Sequence, residues 1–349
     1  MQLGHRVTVL GWGSRSESDD QGVKVRFLAA TRVPRMGWLL NRWAAQRELN
    51  RMVRQESLQV VEAADWCGMS AFLRPDCPLV VRCHGSATYF ADLLGERVRR
   101  SVRYAEGWAL RCAADVVAVS AFAAEKTAEV FKLSRPIGVI PNGIDISQFS
   151  PEPNGESDPN LVLYLGTLVR KKGVLDLPLI FARLWQQRPQ ARLLLVGRDN
   201  PDRATGADST WSLLQAALPA EHRSKVRYVG VKSYDQVQNY VRQAVICVFP
   251  SYAEAFPLAW LEAMACAKAV VAYDIGWAAE AIETGKSGVL VPPGDSEAFA
   301  RALDRLIAAP EEIRRLGQAA RRRVEERFTS AIVARQSLAW YRHALSKAA

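Results

Sequence analysis

Residues 245–265 read VICVFPSYAEAFPLAWLEAMA, and this stretch decides the fold. Residues 245–249 form an apolar run of strand length, and a short loop separates them from a second apolar run that predicts a helix. A strand, a short loop and a helix with a free N-terminus form the repeating unit of parallel α/β sheets. Such a unit binds anions at the helix N-terminus. The stretch therefore predicts an α/β fold with an anion site after this strand.

Two carboxylates, Glu254 and Glu262, lie eight positions apart in this stretch. Eight residues at the helical rise span about 12 Å, which is near the distance from the ribose to the sugar of a nucleotide sugar. We therefore expect Glu254 to hold hydroxyls of a sugar and Glu262 to hold hydroxyls of a ribose.

The residues between the two carboxylates suit a phosphate. The backbone N–H groups near Ala255 and Phe256 are expected to face it, and Pro257, followed by Leu258, suits a first helical turn although proline donates no N–H. In the alternative interpretation, the first carboxylate only favours the helix dipole and the second is a surface residue. The apolar neighbours of the second carboxylate make its position unfavourable for an idle charge.

The same alternation of short apolar strands and helices runs through the 349 residues. A chain of this length favours two domains, so we predict two Rossmann-like domains that face each other across a cleft. The Pro- and Gly-rich segment 150–159 is the best linker. The predicted domains are 1–152 and 158–330, with a closing helix at 331–349. Strands are expected at 7–10, 23–28, 60–61, 79–81, 116–119, 161–165, 193–196, 226–229, 246–249, 270–272 and 289–291, and helices include 39–54 and 96–113.

The start of the chain departs from this pattern. A doubly wound domain should open with a strand, a Gly-rich loop and a helix, whereas Leu3-Gly4-His5 runs directly into a later strand. We expect that about one βα unit is missing upstream. Gly11-Trp12-Gly13 imitates a dinucleotide fingerprint, but the third glycine is replaced by Ser16, so a plain turn is predicted there.

A basic loop follows the first strand of the second half. It runs from Gly166 through Thr167 and the cations Arg170, Lys171 and Lys172 to a second glycine at 173. Three cations at the carboxyl end of a strand suit a pyrophosphate. The alternative is a solvated basic loop. His84 also follows a buried strand, where a role at the cleft and a purely structural role both stay open.

Composition excludes several classes of protein. The net charge of +10 is spread evenly, with 20 Lys and Arg against 15 Asp and Glu in residues 1–150 and 26 against 21 in the rest. This distribution does not predict nucleic-acid binding. The six cysteines lack C-x-x-C spacing and are expected to be free thiols in a reducing compartment. No apolar leader and no membrane-spanning run is present, which predicts a cytoplasmic protein, at most peripheral on the inner face of a membrane.

Residues 32–54 form a basic segment with interleaved aromatic residues. Six arginines, from Arg32 to Arg54, accompany one acid, and Trp38 and Trp43 lie among them. A basic amphipathic helix with tryptophan can lie on an anionic membrane. The alternative is a helix that packs on the sheet, with both tryptophans in the core.

These marks together resemble the retaining glycosyltransferases of family 4, which have the twin-Rossmann GT-B fold. The resemblance rests on His84, on ADVVAVS at 114–120, on IPNGID at 140–145, on the loop 166–173, on the E-x7-E pair and on GVLVPPGD at 288–295. It implies transfer of a sugar from a nucleotide diphosphate donor with retained configuration, without a metal cofactor and without an obvious enzymic nucleophile. It also implies that Lys172 contacts the diphosphate and that His84 and Glu254 contact the sugar. These three are the predicted catalytic residues.

Three positions depart from the family pattern. The family's arginine beside the first loop glycine is Thr167, so Arg170 or Lys171 is expected to replace it. The glycine often found after the first motif glutamate is Ala255, which is expected to narrow the sugar pocket. The family's opening Gly-rich loop is absent.

The leading hypothesis is a retaining hexosyltransferase that acts on a glycan or lipid-linked acceptor in polysaccharide or glycolipid assembly. A sugar-nucleotide epimerase of the same fold is the first alternative. A non-catalytic sugar-nucleotide-binding or membrane scaffold protein is the second.

Overall fold

The structure is a computed structural model that describes residues 3–34, 36–152 and 157–348. It is a mixed α/β fold. The first half of the chain contains β1 (Thr8–Gly13), β2 (Ser16–Asp20), β3 (Val23–Ala29), α1 (Gly37–Glu56), β4 (Val61–Ala64), β5 (Leu79–Cys83), α2 (Ala87–Leu93), α3 (Arg100–Cys112), β6 (Asp115–Ala118), α4 (Ala121–Phe131) and β7 (Gly138–Val139).

The second half continues the alternation to the end of the described chain. It contains β8 (Asp158–Leu165), α5 (Leu177–Gln187), β9 (Arg192–Val196), α6 (Thr210–Ala217), β10 (Val226–Tyr228), α7 (Tyr234–Gln243), β11 (Ala244–Phe249), α8 (Leu258–Ala265), β12 (Ala269–Tyr273), α9 (Ala278–Ala281), β13 (Val289–Val291), α10 (Ser296–Ile307), α11 (Pro310–Arg327) and α12 (Ser330–Ala348). Each strand that we expected from an apolar run is present, with ends that differ by a few residues.

The chain divides into two compact units. Unit 1 contains the residues up to Arg82, Arg100–Val116 and the chain from Tyr341 onward, and unit 2 contains Cys83–Arg99 and Val117–Trp340. The predicted boundary between domains, at 152 and 158, stays a prediction. β8 begins at Asp158, inside the predicted linker, and residues 153–156 of that linker lie outside the described residues.

Unit 2 is built around a parallel sheet. Within residues 157–348, the strands have the order β10-β9-β8-β11-β12-β13, and every neighbouring pair is parallel. β11 and β12 are buried along their whole length, as expected for central strands covered on both faces. β8 and β11 are central neighbours, so the loops that follow them meet at the carboxyl edge of the sheet, where ligands bind in open α/β sheets.

The described strands before β8 form two smaller sheets. One has the order β1-β3-β2, and another has the order β4-β5-β6-β7. β1 lies parallel to β3, and β4 lies parallel to β5. The expected missing βα unit upstream of β1 stays a prediction.

One local prediction near the start is wrong, and one strand there was not predicted. Gly11-Trp12-Gly13 lies in β1 rather than in a turn, because it pairs with β3 in register Gly11↔Phe27. A Cβ on Gly11 would come within 2.8 Å of the Phe27 ring, so the glycine makes room for that ring. The polar segment of β2 had no strand signal, and it pairs with β3 through a two-residue turn at Gln21-Gly22, where both φ angles are positive.

Helix α1 covers the basic segment but buries few of its large side chains. Ala45, Leu49 and Met52 are buried, whereas Trp38 and Trp43 are 46% and 61% exposed. The alternative in which both tryptophans belong to the core is therefore wrong. Arg35, another member of the predicted segment, lies outside the described residues.

The chain end returns to unit 1. Tyr341 of α12 donates a hydrogen bond to Glu62 at 2.7 Å, and Glu62 also pairs with Arg82 at 3.0 Å. Lys347 pairs with Asp115 at 3.5 Å. The last turns of the closing helix are thus fixed by charged contacts within unit 1.

Candidate functional site

The basic loop after β8 fits tightly against the loop after β11. It forms a short 3₁₀ turn, Arg170–Lys172, which ends at Gly173 with φ of 64°. A Cβ on Gly173 would lie 1.6 Å from the carbonyl oxygen of Pro250, so only glycine fits. Tyr252 and Ala253 donate their N–H groups to the carbonyl oxygen of Lys171. The two loops therefore act as one structural piece.

The segment Glu254–Pro257, called the donor loop below, leads into α8. Pro257 is the N-cap of α8, and the helix begins at Leu258. This arrangement places Glu254 ahead of the helix and Glu262 in its second turn, as the spacing predicted. Glu262 is buried, with Trp260 and Met264 also buried around it, so the surface alternative for Glu262 is wrong.

A cavity of about 380 Å³ lies at this edge of the sheet, and all of its lining residues belong to unit 2. It is lined by nine of the predicted site residues, namely His84, Gly166, Lys172, Glu254, Ala255, Phe256, Pro257, Leu258 and Glu262. The volume suits a small-molecule ligand. Thr167, Arg170 and Lys171 are not among its lining residues.

Lys172 and Glu254 form an ion pair inside the cavity. The Lys172 Nζ lies 2.9 Å from the Glu254 Oε1, and the two side chains are only 20% and 11% exposed. The start of α8, the positive end of the helix dipole, lines the same cavity as this cation. The arrangement can bind an anion and, beside it, a group with hydroxyls.

Glu262 has an unusual ionisation. Burial raises the pKa of its carboxyl to about 7, while a hydrogen bond with Tyr234 and the charge of Lys172 oppose the rise. Burial, the charge of Glu262 and the same hydrogen bond raise the pKa of the Tyr234 hydroxyl, which fits a tyrosine that donates to the carboxylate. Tyr234 opens α7 and was not predicted from the sequence.

Two of the predicted cations point elsewhere. The Arg170 guanidinium donates two hydrogen bonds to Asp202, at 3.0 and 2.7 Å. The Lys171 Nζ lies 3.4 Å from the centre of the Phe90 ring, and burial lowers the pKa of the Lys171 amine. The structure therefore gives no support to Arg170 as the replacement for the family's arginine, because its guanidinium is held by a buried carboxylate.

The neighbouring Thr167 contributes its backbone to the loop. Its carbonyl oxygen accepts a hydrogen bond from the Tyr164 hydroxyl at 2.9 Å. This bond fixes the turn that follows β8. A role of the Thr167 side chain in binding stays a prediction.

His84 lines the cavity and is followed by a glycine with a positive φ. It follows β5 directly, and Gly85 has φ of 93°. A Cβ on Gly85 would come within 2.7 Å of the Phe90 ring and 3.3 Å of the Ala255 methyl group. The Ala255 methyl group therefore lies close to Gly85, which has no side chain. The expected narrowing of the pocket by Ala255 stays a prediction.

Three further residues of the site were not predicted as such. Asn142 lines the cavity, while Tyr89 and Ser120 are fully buried and bond to the donor loop. Ser120 and Asn142 belong to the two motifs 114–120 and 140–145, which carried the family resemblance. That resemblance was the available signal, but it did not say what these side chains contact.

The structure also bears on the cysteines, on metal binding and on membrane spans. All six cysteines are free, and Cys247 and Cys266 are buried, which raises the pKa of each thiol to about 12. Among the described residues, no three His, Cys, Asp or Glu side chains cluster in a way that could hold a metal ion. None of the described helices has the length and apolar character needed to cross a membrane.

Comparison with known families agrees with the geometry. The family described as "Glycosyl transferases group 1" matches residues 145–323, and the family described as "Glycosyltransferase Family 4" matches residues 1–148. The chain belongs to the group 1 glycosyltransferases. This glycosyltransferase is 30% identical to the alpha-maltose-1-phosphate synthase of Mycolicibacterium smegmatis over 322 residues, which cover 84% of this chain and 81% of the relative.

Solved structures show the same fold as this glycosyltransferase. The sucrose-phosphate synthase of Thermosynechococcus elongatus matches with a TM-score of 0.82 at 23% identity, over 99% of this chain and 90% of that one. Anabaena Alr3699/HepE in complex with UDP and glucose matches with a TM-score of 0.73 at 20% identity, over 91% and 85%. The predicted GT-B class of two Rossmann-like domains is thereby confirmed.

Proposed function

We propose that this glycosyltransferase moves a hexosyl group from a nucleotide diphosphate sugar to a glycan or lipid-linked acceptor, with retention of the anomeric configuration. The supporting observation is one cavity that joins Lys172, Glu254, Glu262 and the start of α8. A sugar beside Glu254, a diphosphate at Lys172 and a ribose at Glu262 would fill it in the order of a nucleotide sugar.

In the proposed reaction, the acceptor hydroxyl forms the new bond to the anomeric carbon. The bond between that carbon and the β-phosphate oxygen breaks, and the electron pair leaves with the diphosphate. The acceptor's proton passes to the departing diphosphate. Lys172 and the N-terminus of α8 stabilise the charge that develops there, and no metal is required. The structure of the Anabaena protein with UDP and glucose favours a nucleotide sugar as donor.

The donor can be identified by thermal shift with UDP-, GDP- and ADP-sugars. A bound donor at about 100 times its Kd should raise the Tm by roughly 3–5 °C, because it binds only the folded state. Transfer is then tested with that donor and mixed glycan and lipid-linked acceptors, and the anomeric configuration of the product is read by NMR. An inverted product contradicts retention, and an epimerised donor formed without acceptor contradicts transfer. Binding without either reaction favours the non-catalytic alternative.

We further propose that unit 1 contacts an anionic membrane through an aromatic surface formed by Trp38, Phe72, Tyr104 and Trp108. The Phe72 ring lies 5.5 Å from Trp38, 4.5 Å from Trp108 and 6.4 Å from Tyr104, between ring centres. Phe72 keeps a positive φ of 67°, which is unfavourable for an aromatic residue, and its side chain is exposed. Exposed aromatic rings of this kind can enter a lipid interface.

Arginine side chains flank this aromatic surface, and their positive charge favours an anionic lipid surface. The Arg42 guanidinium lies 3.8 Å above the Trp38 ring, and Arg74 lies 5.9 Å from Trp108. One turn along α1, Arg47 lies 5.7 Å from the exposed Trp43 ring. Aromatic rings bordered by arginines complement an anionic lipid surface in both polarity and charge. A cytoplasmic protein with a lipid-linked acceptor would use such a contact at the inner face of the membrane.

Flotation with liposomes tests this surface. Replacing Trp38 and Tyr104, which are 46% and 66% exposed, by serine is expected to lower the fraction bound to vesicles with anionic phospholipid by about 10-fold, since two exposed rings are lost. Neutral vesicles should bind the parent weakly, and added salt should weaken binding to anionic vesicles. Leu179→Ser, at a residue that is 52% exposed in unit 2, is the matched control. Equal flotation of the aromatic variant and the control would contradict the proposal.

A further inference from the structure

Three consecutive carbonyl groups of the donor loop accept hydrogen bonds from side chains. The Tyr89 hydroxyl donates to the Glu254 carbonyl oxygen at 3.1 Å, and the Ser120 hydroxyl donates to that of Ala255 at 2.9 Å. The Asn142 amide donates to the carbonyl oxygen of Phe256 at 2.7 Å. The three donors come from separate segments of unit 2, so their convergence on one tetrapeptide is a property of the fold.

Two of these donors are held firmly. Tyr89 and Ser120 are fully buried. The Ser120 oxygen also accepts the N–H of Ala123 and thereby caps α4, which fixes its position. Tyr89 lies in the first turn of α2, where the Ser86 cap accepts its N–H. The carbonyl groups are therefore directed at rigid partners rather than at mobile surface groups.

The orientation of the carbonyls sets the orientation of the amides. In a trans peptide the C=O and the following N–H point in opposite directions. Fixing the carbonyls of Glu254 and Ala255 therefore directs the N–H groups of Ala255 and Phe256 the other way. Both residues line the cavity, and neither N–H has an acceptor among the described residues. Tyr89 and Ser120 are not among the lining residues, so the carbonyls of Glu254 and Ala255 are bonded to groups outside the cavity lining.

We propose that Tyr89, Ser120 and Asn142 are positioning residues that hold the N–H groups of Ala255 and Phe256 toward the β-phosphate of the donor. The inference rests on the proposed function, because the phosphate is that of the nucleotide sugar. The two amides meet the oxygen on which charge develops when the glycosidic bond breaks, and donors fixed in advance lose no energy to reorientation. The bond from Asn142 holds the peptide before Pro257, which has no N–H, and so fixes the entry to α8.

Tyr89→Phe tests the proposal with the loss of one oxygen atom. The affinity for the nucleoside diphosphate matched to the donor is expected to fall about 5–10-fold, and kcat/KM by about 10-fold. The affinity for the corresponding nucleoside monophosphate should stay within twofold, because it lacks the β-phosphate. Isothermal titration with both nucleotides measures the difference. A purely structural role would weaken both nucleotides equally, and that result would overturn the proposal.

Matched variants separate the possible failures. Thr210→Val removes another buried hydroxyl that donates to a backbone carbonyl, at 2.7 Å from Asn200, and should leave both affinities unchanged. Ser120→Thr should keep the parent's preference for the diphosphate, whereas Ser120→Ala should lose it. Unchanged diphosphate affinity in both Tyr89→Phe and Ser120→Ala would overturn the inference alone. A parent protein that binds no nucleoside diphosphate would overturn the proposed function itself.

Discussion

Replacing Lys172 with methionine is expected to lower kcat/KM for sugar transfer by about 10²–10³-fold. The reason is that Lys172 lines the cavity where the proposed reaction places the departing diphosphate, and loss of one such preorganised group typically has this effect. Methionine keeps the length and apolar stem of lysine, so packing changes little. Initial rates over a range of donor concentrations, at saturating acceptor, measure the loss.

The ion pair complicates this experiment and also provides its control. Without Lys172, the Glu254 carboxylate is left buried and unpaired, which costs about 3–5 kcal/mol of stability. The double variant Lys172→Met with Glu254→Gln removes that charge and is expected to recover most of the Tm, while its activity stays low because Glu254 is also a residue of the proposed site. Recovery of activity together with the Tm would show that Lys172 stabilises the loop and does not act on the diphosphate.

Two other lysines sharpen the result. Lys286→Met removes an exposed lysine that pairs with Glu283 at 3.4 Å, and it should leave kcat/KM unchanged. Lys171→Met should lower kcat/KM by less than about 10-fold, because its amine lies on the Phe90 ring and outside the cavity lining. A larger loss for Lys171→Met than for Lys172→Met would reverse the assignment of the two cations.

Much of the fold was predictable because the strands of parallel sheets have a recognisable local sequence pattern. Buried parallel strands are nearly continuous apolar runs, so β11 and β12 were visible without any partner. The carboxylate pair was also predictable from local sequence, because its spacing is set by one loop and one helix. By contrast, β2 is wholly polar and exists only because β3 pairs with it across a tight turn.

The parts of the site that escaped prediction depend on long-range partners. Apart from the family resemblance, nothing in the sequence separated Arg170 from Lys172, and the contact with Asp202, thirty-two residues away, directs Arg170 out of the cavity. Tyr89 and Tyr234 likewise gain their roles from contacts with Glu254 and Glu262. The sequence left open whether Trp38 and Trp43 lie in the core, because helical spacing does not show which face of a helix its neighbours cover. Local patterns identify the elements, whereas tertiary contacts assign the side chains.

Donor affinity is expected to rise about 10-fold between pH 6 and pH 8 because of Glu262. Burial raises the pKa of this carboxyl to about 7 in the unoccupied protein, so at pH 6 most molecules carry the neutral acid. Only the carboxylate accepts hydrogen bonds from both ribose hydroxyls, so binding requires loss of the proton. A nucleotide sugar is the correct probe, because its diphosphate does not titrate in this range. Titration calorimetry at several pH values measures the change.

The same carboxyl affects stability with the opposite sign. Since its pKa is higher in the folded state than the ordinary value of 4.5, the folded protein binds more protons between about pH 4.5 and 7. Its stabilising contribution is complete below pH 4.5 and is lost as the pH rises through 7, a change of about 3 kcal/mol. Ligand-free protein should therefore lose stability over the range in which donor affinity increases.

Glu262→Gln separates these effects from other titrating groups. The variant keeps the shape of the side chain and cannot ionise, so its donor affinity should be low and independent of pH. Between pH 5 and 8, the free energy of unfolding should fall less in the variant than in the parent. The difference between the two is the contribution of Glu262. Tyr234→Phe should remove a hydrogen bond that favours the carboxylate and move the affinity transition to higher pH. If Glu262→Gln bound the nucleotide sugar as tightly as the parent at pH 8, the ribose assignment would be wrong.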